Sequence, residues 1–362
     1  HSTSLLSTLD LRGHRITHIS CGSNHTLFAT DKNMLFSCGN NDHDQLGVET
    51  AQQALVRPQK LTWWDSRNEI RRLYANAELS AVLTVSGDLF TFGSNEFGQL
   101  GRPTRNRIDC LHPTKVNLQG PCMALGLGYR HAVAAIVQTI ADQNGSGQTI
   151  LLVSWGQLNG GRLGFTKCDL GLSQQEMQTT NNWTVDKSGN VFRELNSEMN
   201  PDSLGINGTN GACQHTGPTI MPTFPKLEPA LGEMVNGISC GFSHSLVSVR
   251  LTESKLLKML PKPQMKSCMK DHSQRHTNHL TEPLILAFTR PNSGASQKQK
   301  EPEETSNLPL LDVVFVWGSG ENGQLGIWNP NPTGVGKECC QIYCPIPNAI
   351  FTNRVRTFRV NR

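Results

Sequence analysis

Short apolar runs recur along the whole chain, each broken by a polar, turn-forming stretch. His25–Thr30 and Met34–Cys38 are two such runs, joined by Asp31-Lys32-Asn33; Leu79–Val85 and Leu89–Phe92 are joined through Ser86-Gly87-Asp88. Runs of this length are too short for amphipathic helices, and their spacing predicts β-hairpins. The longest, such as Met123–Leu127 and Ala132–Val137, fall far short of the roughly 20 apolar residues a membrane-spanning helix needs. No membrane span is expected.

The hairpins are copies of one unit. Ile19-Ser20-Cys21-Gly22-Ser23-Asn24-His25 leads to Leu35-Phe36-Ser37-Cys38-Gly39 and closes on Gln45-Leu46-Gly47. The second copy runs from Leu73-Tyr74-Ala75 through Thr91-Phe92-Gly93 to Gly98-Gln99-Leu100-Gly101. A third has Gly128-Tyr129-Arg130-His131, Ser154-Trp155-Gly156 and Arg162-Leu163-Gly164. The fourth has Cys240-Gly241-Phe242-Ser243-His244, Val316-Trp317-Gly318 and Gly323-Gln324-Leu325-Gly326. A proline-led element follows each closing glycine, at Pro58, Pro113, Pro225 and Pro345, and suits an outer edge strand. Gly47 and Gly101 are about 54 residues apart, near the upper end of propeller-blade periods. The expected fold is all-β: a β-propeller with four-stranded antiparallel blades, packed side against side because no single unit buries its own faces.

The expected units are about 16–61, 70–116, 122–227 with insertions 138–148 and 165–221, and 234–346 with an insertion at 251–307; 354–362 reads as the start of another. All belong to one domain, 1–362. The Leu251–Asn307 stretch is rich in Lys, Pro, Gln, Ser and Glu, a composition that predicts disorder, with Leu251–Leu260 able to form an amphipathic helix on a partner. Within 165–221, Val185–Phe192 reads as an extended loop in preference to a decayed hairpin.

Repeat positions have physical roles. The glycine after Cys38, Phe92, Trp155 and Trp317 lets the chain leave its strand at positive φ. Leu46, Leu100 and Leu325 plug between blades. His25, His131 and His244 recur once per unit, which fits a buried hydrogen-bonding post better than a catalytic group.

Composition narrows the function. Lys+Arg 33 against Asp+Glu 29 leaves a net charge of +4, too mild to suggest direct nucleic-acid binding. Eleven cysteines show no paired framework, and Cys21 and Cys240 read as small buried thiols, pointing to a reducing, cytoplasmic compartment, with the nucleus as an alternative. Four glycosylation sequons, the first at Asn24 in an expected strand, are discounted. Cys268, His272, His276 and His279 have helical spacing that would suit zinc, but the surrounding prolines argue against the helix; Cys339, Cys340 and Cys344 are weaker still. No phosphate-binding loop, nucleophile elbow or zinc-protease motif occurs. No catalytic residue, cofactor or metal site is assigned.

The ordered set Cys-Gly-x-x-His, Phe/Trp-Gly-Ser-Asn and Gly-Gln-Leu-Gly resembles the regulator of chromosome condensation family of β-propellers. The resemblance covers roughly 16–136, 151–164, 222–250 and 312–360. Gly128–Ala135, Leu35–Gly39 and Ser94–Pro103 most resemble members that act as guanine nucleotide exchange factors in secretion. Family members form seven-bladed rings, so the resemblance implies an incomplete ring here, with about four blades recognisable and exposed faces prone to association. It also implies a partner: a small GTPase, or another protein on a scaffold or recruitment propeller, with chromatin a weaker prospect. Exchange requires no covalent chemistry, since such a factor binds the nucleotide-free GTPase more tightly than the loaded one. The resemblance carries no partner-contact residue onto a numbered position.

Overall fold

The computed structural model describes residues 13–50, 52–102, 113–142, 145–165, 169, 184–185, 191–194, 214–259, 309–320, 324–325 and 341–347. Their strands form four antiparallel sheets in chain order. The first holds β1 (Ile16–Cys21), β2 (His25–Thr30), β3 (Leu35–Asn40) and β4 (Ala54–Lys60). The second holds β5 (Ile70–Asn76), β6 (Leu79–Thr84), β7 (Leu89–Gly93) and β8 (Thr114–Lys115). In the third, β9 (Cys122–Leu127), β10 (His131–Asp142) and β11 (Gly145–Gln157) are followed outward by β14 (Gln214–Ile220), β13 (Val191–Glu194) and β12 (Thr184–Val185). The fourth holds β15 (Met234–Cys240), β16 (His244–Thr252), β17 (Leu310–Ser319) and β18 (Gln341–Pro347), and β16 runs directly into a helix, α1 (Glu253–Met259). The first strands of successive sheets abut, β1 on β5, β5 on β9 and β9 on β15, so the sheets fan out as blades of a propeller.

Sheets bury both faces by sitting between neighbours. Three apolar clusters fill the joints. One packs Leu27, Leu46 and Leu61 of blade one against Leu73, Val82 and Phe92 of blade two. A second joins Leu79, Leu83 and Leu100 to Leu125, Ala134 and Trp155. The third joins Val133, Leu152 and Leu163 to Val247, Phe315 and Trp317. Leu46, Leu100, Leu163 and Leu325 are all buried, as plugs should be.

Four sequence expectations change. Residues 138–148 do not form a separate loop: β10 and β11 pair as far as Asp142 and Gly145, so the polar insertion lengthens the hairpin. The fourth strand of blade three is β14, inside the stretch expected to be inserted; the Pro225 element contributes a bridge between Leu227 and Ile150. The two ends of Val185–Phe192 are not loop: Val185 pairs antiparallel with Val191, and β13 continues onto β14. The insertion after Leu251 begins as order: Leu251 and Thr252 complete β16, and α1 follows with Leu256 fully buried. A short amphipathic helix gains stability from tertiary burial, which a composition average over the whole insertion hides.

Two smaller expectations also fail. Asn24 lies in the exposed turn before β2, and Cys21 is exposed at the end of β1. Cys21, Cys38, Cys122 and Cys240 are free thiols. Gly323, Gly326, the Cys268–His279 constellation, Cys339, Cys340 and residues 354–362 lie outside the described residues. No helix among the described residues is long and apolar enough to cross a membrane.

Candidate functional site

Turns joining the two innermost strands of each blade, and the closing loops around Leu46, Leu100 and Leu163, meet at one end of the propeller. Their framework explains the repeated residues. Gly39, Gly93, Gly156 and Gly318 all have φ between 102° and 109°, and a Cβ on any of them would lie within 2.4 Å of a backbone carbonyl oxygen in the adjacent turn. Gly22, Gly128 and Gly241 make room for the imidazoles of His25, His131 and His244, which a Cβ there would strike. The closing glycines face the next blade: a Cβ on Gly47 would strike Phe92, on Gly101 Trp155, and on Gly164 Trp317. Gly98 also has positive φ, 72°, in the second closing loop.

The histidines join blades. His25 Nε2 lies 2.8 Å from Ser80 Oγ, and His131 Nε2 lies 2.8 Å from Ser245 Oγ, each across a joint. Ser80 donates its own proton to the Gln45 carbonyl at 2.7 Å, so His25 Nε2–H donates to Ser80 and Nδ1 carries the lone pair. Ser245 similarly faces the Arg162 carbonyl at 3.4 Å. Trp155 Nε1 donates to the Gln99 carbonyl (2.9 Å) and Trp317 Nε1 to the Arg162 carbonyl (2.8 Å), so each closing loop is held by the following blade. Burial lowers His25 to about 4 and His131 to about 3, and lowers His244 too. These imidazoles stay neutral at physiological pH, which suits posts and does not suit proton transfer near neutrality.

The joint between blades two and three departs from this pattern in matched fashion. Leu79 stands where the histidine would be and Ala132 where the serine would be, and both are buried in one apolar cluster. Asn76 replaces the glycine and donates from Nδ2 to the Leu127 carbonyl. A shallow cleft opens above this joint, lined by Glu78, Ser94, Glu96, Phe97, Tyr129 and Arg130 among others.

Residues around that cleft do not repeat from blade to blade. Equivalent pairs across successive joints are His43 with Glu78, Phe97 with Arg130, and Gly160 with Ser243. His43 Nε2 is 3.3 Å from a Glu78 carboxylate oxygen. Arg130 instead lies 4.0 Å over the Phe97 ring and 5.1 Å from the Tyr129 ring centre. Tyr129 stacks on Phe242 with centroids 4.4 Å apart and planes 15° apart. Phe242, 62% exposed, ends the ladder in solvent. The repeat pattern does not mark Phe97, Tyr129, Arg130 and Phe242 as a group; the signal for them is variation at positions flanking the repeated residues.

Such spacing of glycine, histidine and closing loop is found in known proteins. Residues 16–45 and 86–135 each match the regulator of chromosome condensation (RCC1) repeat. The chain carries RCC1 repeats. It is 34% identical over 126 residues to the ultraviolet-B receptor UVR8 of Arabidopsis thaliana, covering 34% of this chain and 28% of the receptor. It is 32% identical over 134 residues to the secretion-regulating guanine nucleotide exchange factor of Bos taurus, covering 36% of this chain and 28% of that protein. The match to the RCC2 homolog of Xenopus laevis is 33% over 91 residues, 25% of this chain and 17% of that protein. The matches thus span less than a third of the length of these relatives. Human WBSCR16 is a solved structure it resembles, with a TM-score of 0.47 and 16% identity, covering 93% of this chain and 53% of that one.

Proposed function

We propose that this RCC1-repeat propeller is a guanine nucleotide exchange factor-like regulator of a small GTPase linked to secretion, working through its turn-and-loop end. The similarity to the bovine secretion-regulating exchange factor carries the reading. The geometry agrees with it: a rigid frame of buried posts supports an end whose exposed residues differ from joint to joint, which is how a repeat scaffold acquires a specific partner. An exchange factor acts by binding one state of its GTPase more tightly, so its tools are shape and hydrogen bonding at such a surface.

The alternative is a non-catalytic interaction propeller. The similarity to an ultraviolet-B receptor favours it, because one fold serves unrelated functions. Release of labelled GDP from a panel of Ran, Rab and Ral-type GTPases separates the two. Acceleration of about tenfold, about 1.4 kcal/mol off the barrier, supports exchange. Tight binding without faster release supports the interaction propeller.

A further inference from the structure

The ladder formed by Phe97, Arg130, Tyr129 and Phe242 crosses blades two, three and four at the propeller's loop end. The Arg130 guanidinium carbon lies over both the Phe97 and the Tyr129 rings. Its Nε is buried and has no hydrogen-bond partner, and among the described residues no carboxylate forms an ion pair with it. At the preceding joint the equivalent positions hold a paired His43 and Glu78, so the unpaired cation is particular to this joint. Arg162, whose carbonyl receives the blade-four tryptophan, has its basicity lowered by burial and also by the Arg130 charge nearby. Positive charge therefore gathers at Arg130 without an ion-paired anion among the described residues.

A guanidinium binds a carboxylate edge-on through two parallel hydrogen bonds, for which Arg130 would use its Nη groups, its Nε being buried. Aromatic and arginine side chains held rigid in this way are the usual anchors of protein interfaces. Glu78 and Glu96 line the same cleft. Their charge repels a doubly charged phosphate more strongly than a singly charged carboxylate, and Glu78 already faces His43 at 3.3 Å. Phe242 stands exposed at the ladder's end and offers an apolar contact beside it. We propose that this ladder is a docking site for a protein partner presenting an aspartate or glutamate next to an apolar side chain, with the acid on Arg130 and the apolar group on Phe242. The inference rests on the reading that the loop end is the docking surface.

A random peptide display library selected against the full chain tests it, with the chosen peptides then measured by fluorescence anisotropy. Selected sequences should carry Asp or Glu beside Phe, Tyr or Leu. Arg130→Gln should weaken them about tenfold or more. Phe242→Ser and amidation of the peptide's acid should each weaken them as well. Arg130→Lys, which retains charge but loses the fork, should recover only part of the binding and covers the case in which Arg130→Gln misfolds. Selection of peptides without an acid, or binding indifferent to Arg130→Lys and Phe242→Ser, overturns the proposal. Displacement by phosphotyrosine in preference to acidic peptide overturns it in favour of a phosphate site. GDP release measured with the same variants separates the two readings. Acidic peptides on the ladder with no exchange on any GTPase sink the exchange reading alone. Exchange unaffected by Arg130→Lys and Phe242→Ser, with no acidic peptide bound, sinks the ladder alone.

Discussion

His131 Nε2 and Ser245 Oγ are 2.8 Å apart although 114 positions separate them in sequence, and both are buried. Their bond spans the joint between blades three and four. It is repeated by His25 and Ser80 between blades one and two, and it is replaced by Leu79 and Ala132 between blades two and three. Joints thus come in two self-consistent forms, one polar and one apolar.

That pairing predicts a non-additive mutant cycle. Ser245→Ala alone leaves a buried imidazole N–H without an acceptor and should cost about 1–3 kcal/mol. His131→Leu alone should cost a similar amount. The double variant rebuilds the apolar joint seen at Leu79 and Ala132, so its cost should fall clearly below the sum of the two. Urea unfolding of all four proteins measures this; strict additivity would show that the two residues are not coupled.

Acid should weaken the fold through the same posts. The unfolded histidines titrate near 6.5, whereas burial lowers folded His25 to about 4 and His131 to about 3. Between those values only the unfolded chain takes up protons. Stability is therefore full above about pH 6.5 and declines as the pH falls towards 4. Unfolding midpoints at pH 7.5, 6 and 5 should show the decline, and the His131→Leu/Ser245→Ala double variant should show less of it.

Glycine substitutions should divide sharply by position. Gly156 has φ +108°, and an added Cβ would sit 2.4 Å from the Arg130 carbonyl oxygen. Gly156→Ala combines backbone strain with a clash against backbone, so loss of about 3 kcal/mol or more, or failure to fold, is expected. Gly147 has nothing within 4 Å of such a Cβ, and Gly147→Ala should change stability by less than about 0.5 kcal/mol. Thermal melts of the two variants decide it.

Glu233 fastens the start of the long insertion. Its buried carboxylate accepts from Glu228 N (2.8 Å), Thr252 N (3.0 Å), Thr252 Oγ1 (2.9 Å) and Lys255 Nζ (2.6 Å). Burial alone would raise its pKa, but the hydrogen bonds from Lys255, Glu228 and Thr252 outweigh burial and hold it below the ordinary value. Its contribution is present above the unfolded carboxyl pKa and is lost as pH falls below it. Glu233→Gln should speed amide exchange throughout α1 while leaving β2 and β6 protected. Equal exchange in α1 of both proteins would argue that Leu256 burial alone holds the helix.

Much of the frame was legible from sequence, because a residue repeated at a fixed place in every unit meets the same surroundings each time. The glycines after Trp155 and Trp317 announce positive φ, and the closing leucines announce burial, before any coordinates exist. The insertions misled for a related reason: 165–221 lacks the repeat's markers and the composition of 251–307 is averaged over its whole length, which conceals β14 and α1, whose order comes from strand pairing and burial.

The module is written in the chain: strand, turn, strand and closing loop, with a histidine post whose local need is to be buried and bonded. What each post reaches depends on how the blades pack. Ser80 and Ser245 lie in different units from their histidines, and no local pattern encodes a contact made across a joint. Nor does any local pattern encode the placing of Arg130 over rings from two blades, since that geometry arises only when separate turns are brought to one end by the packing of whole sheets.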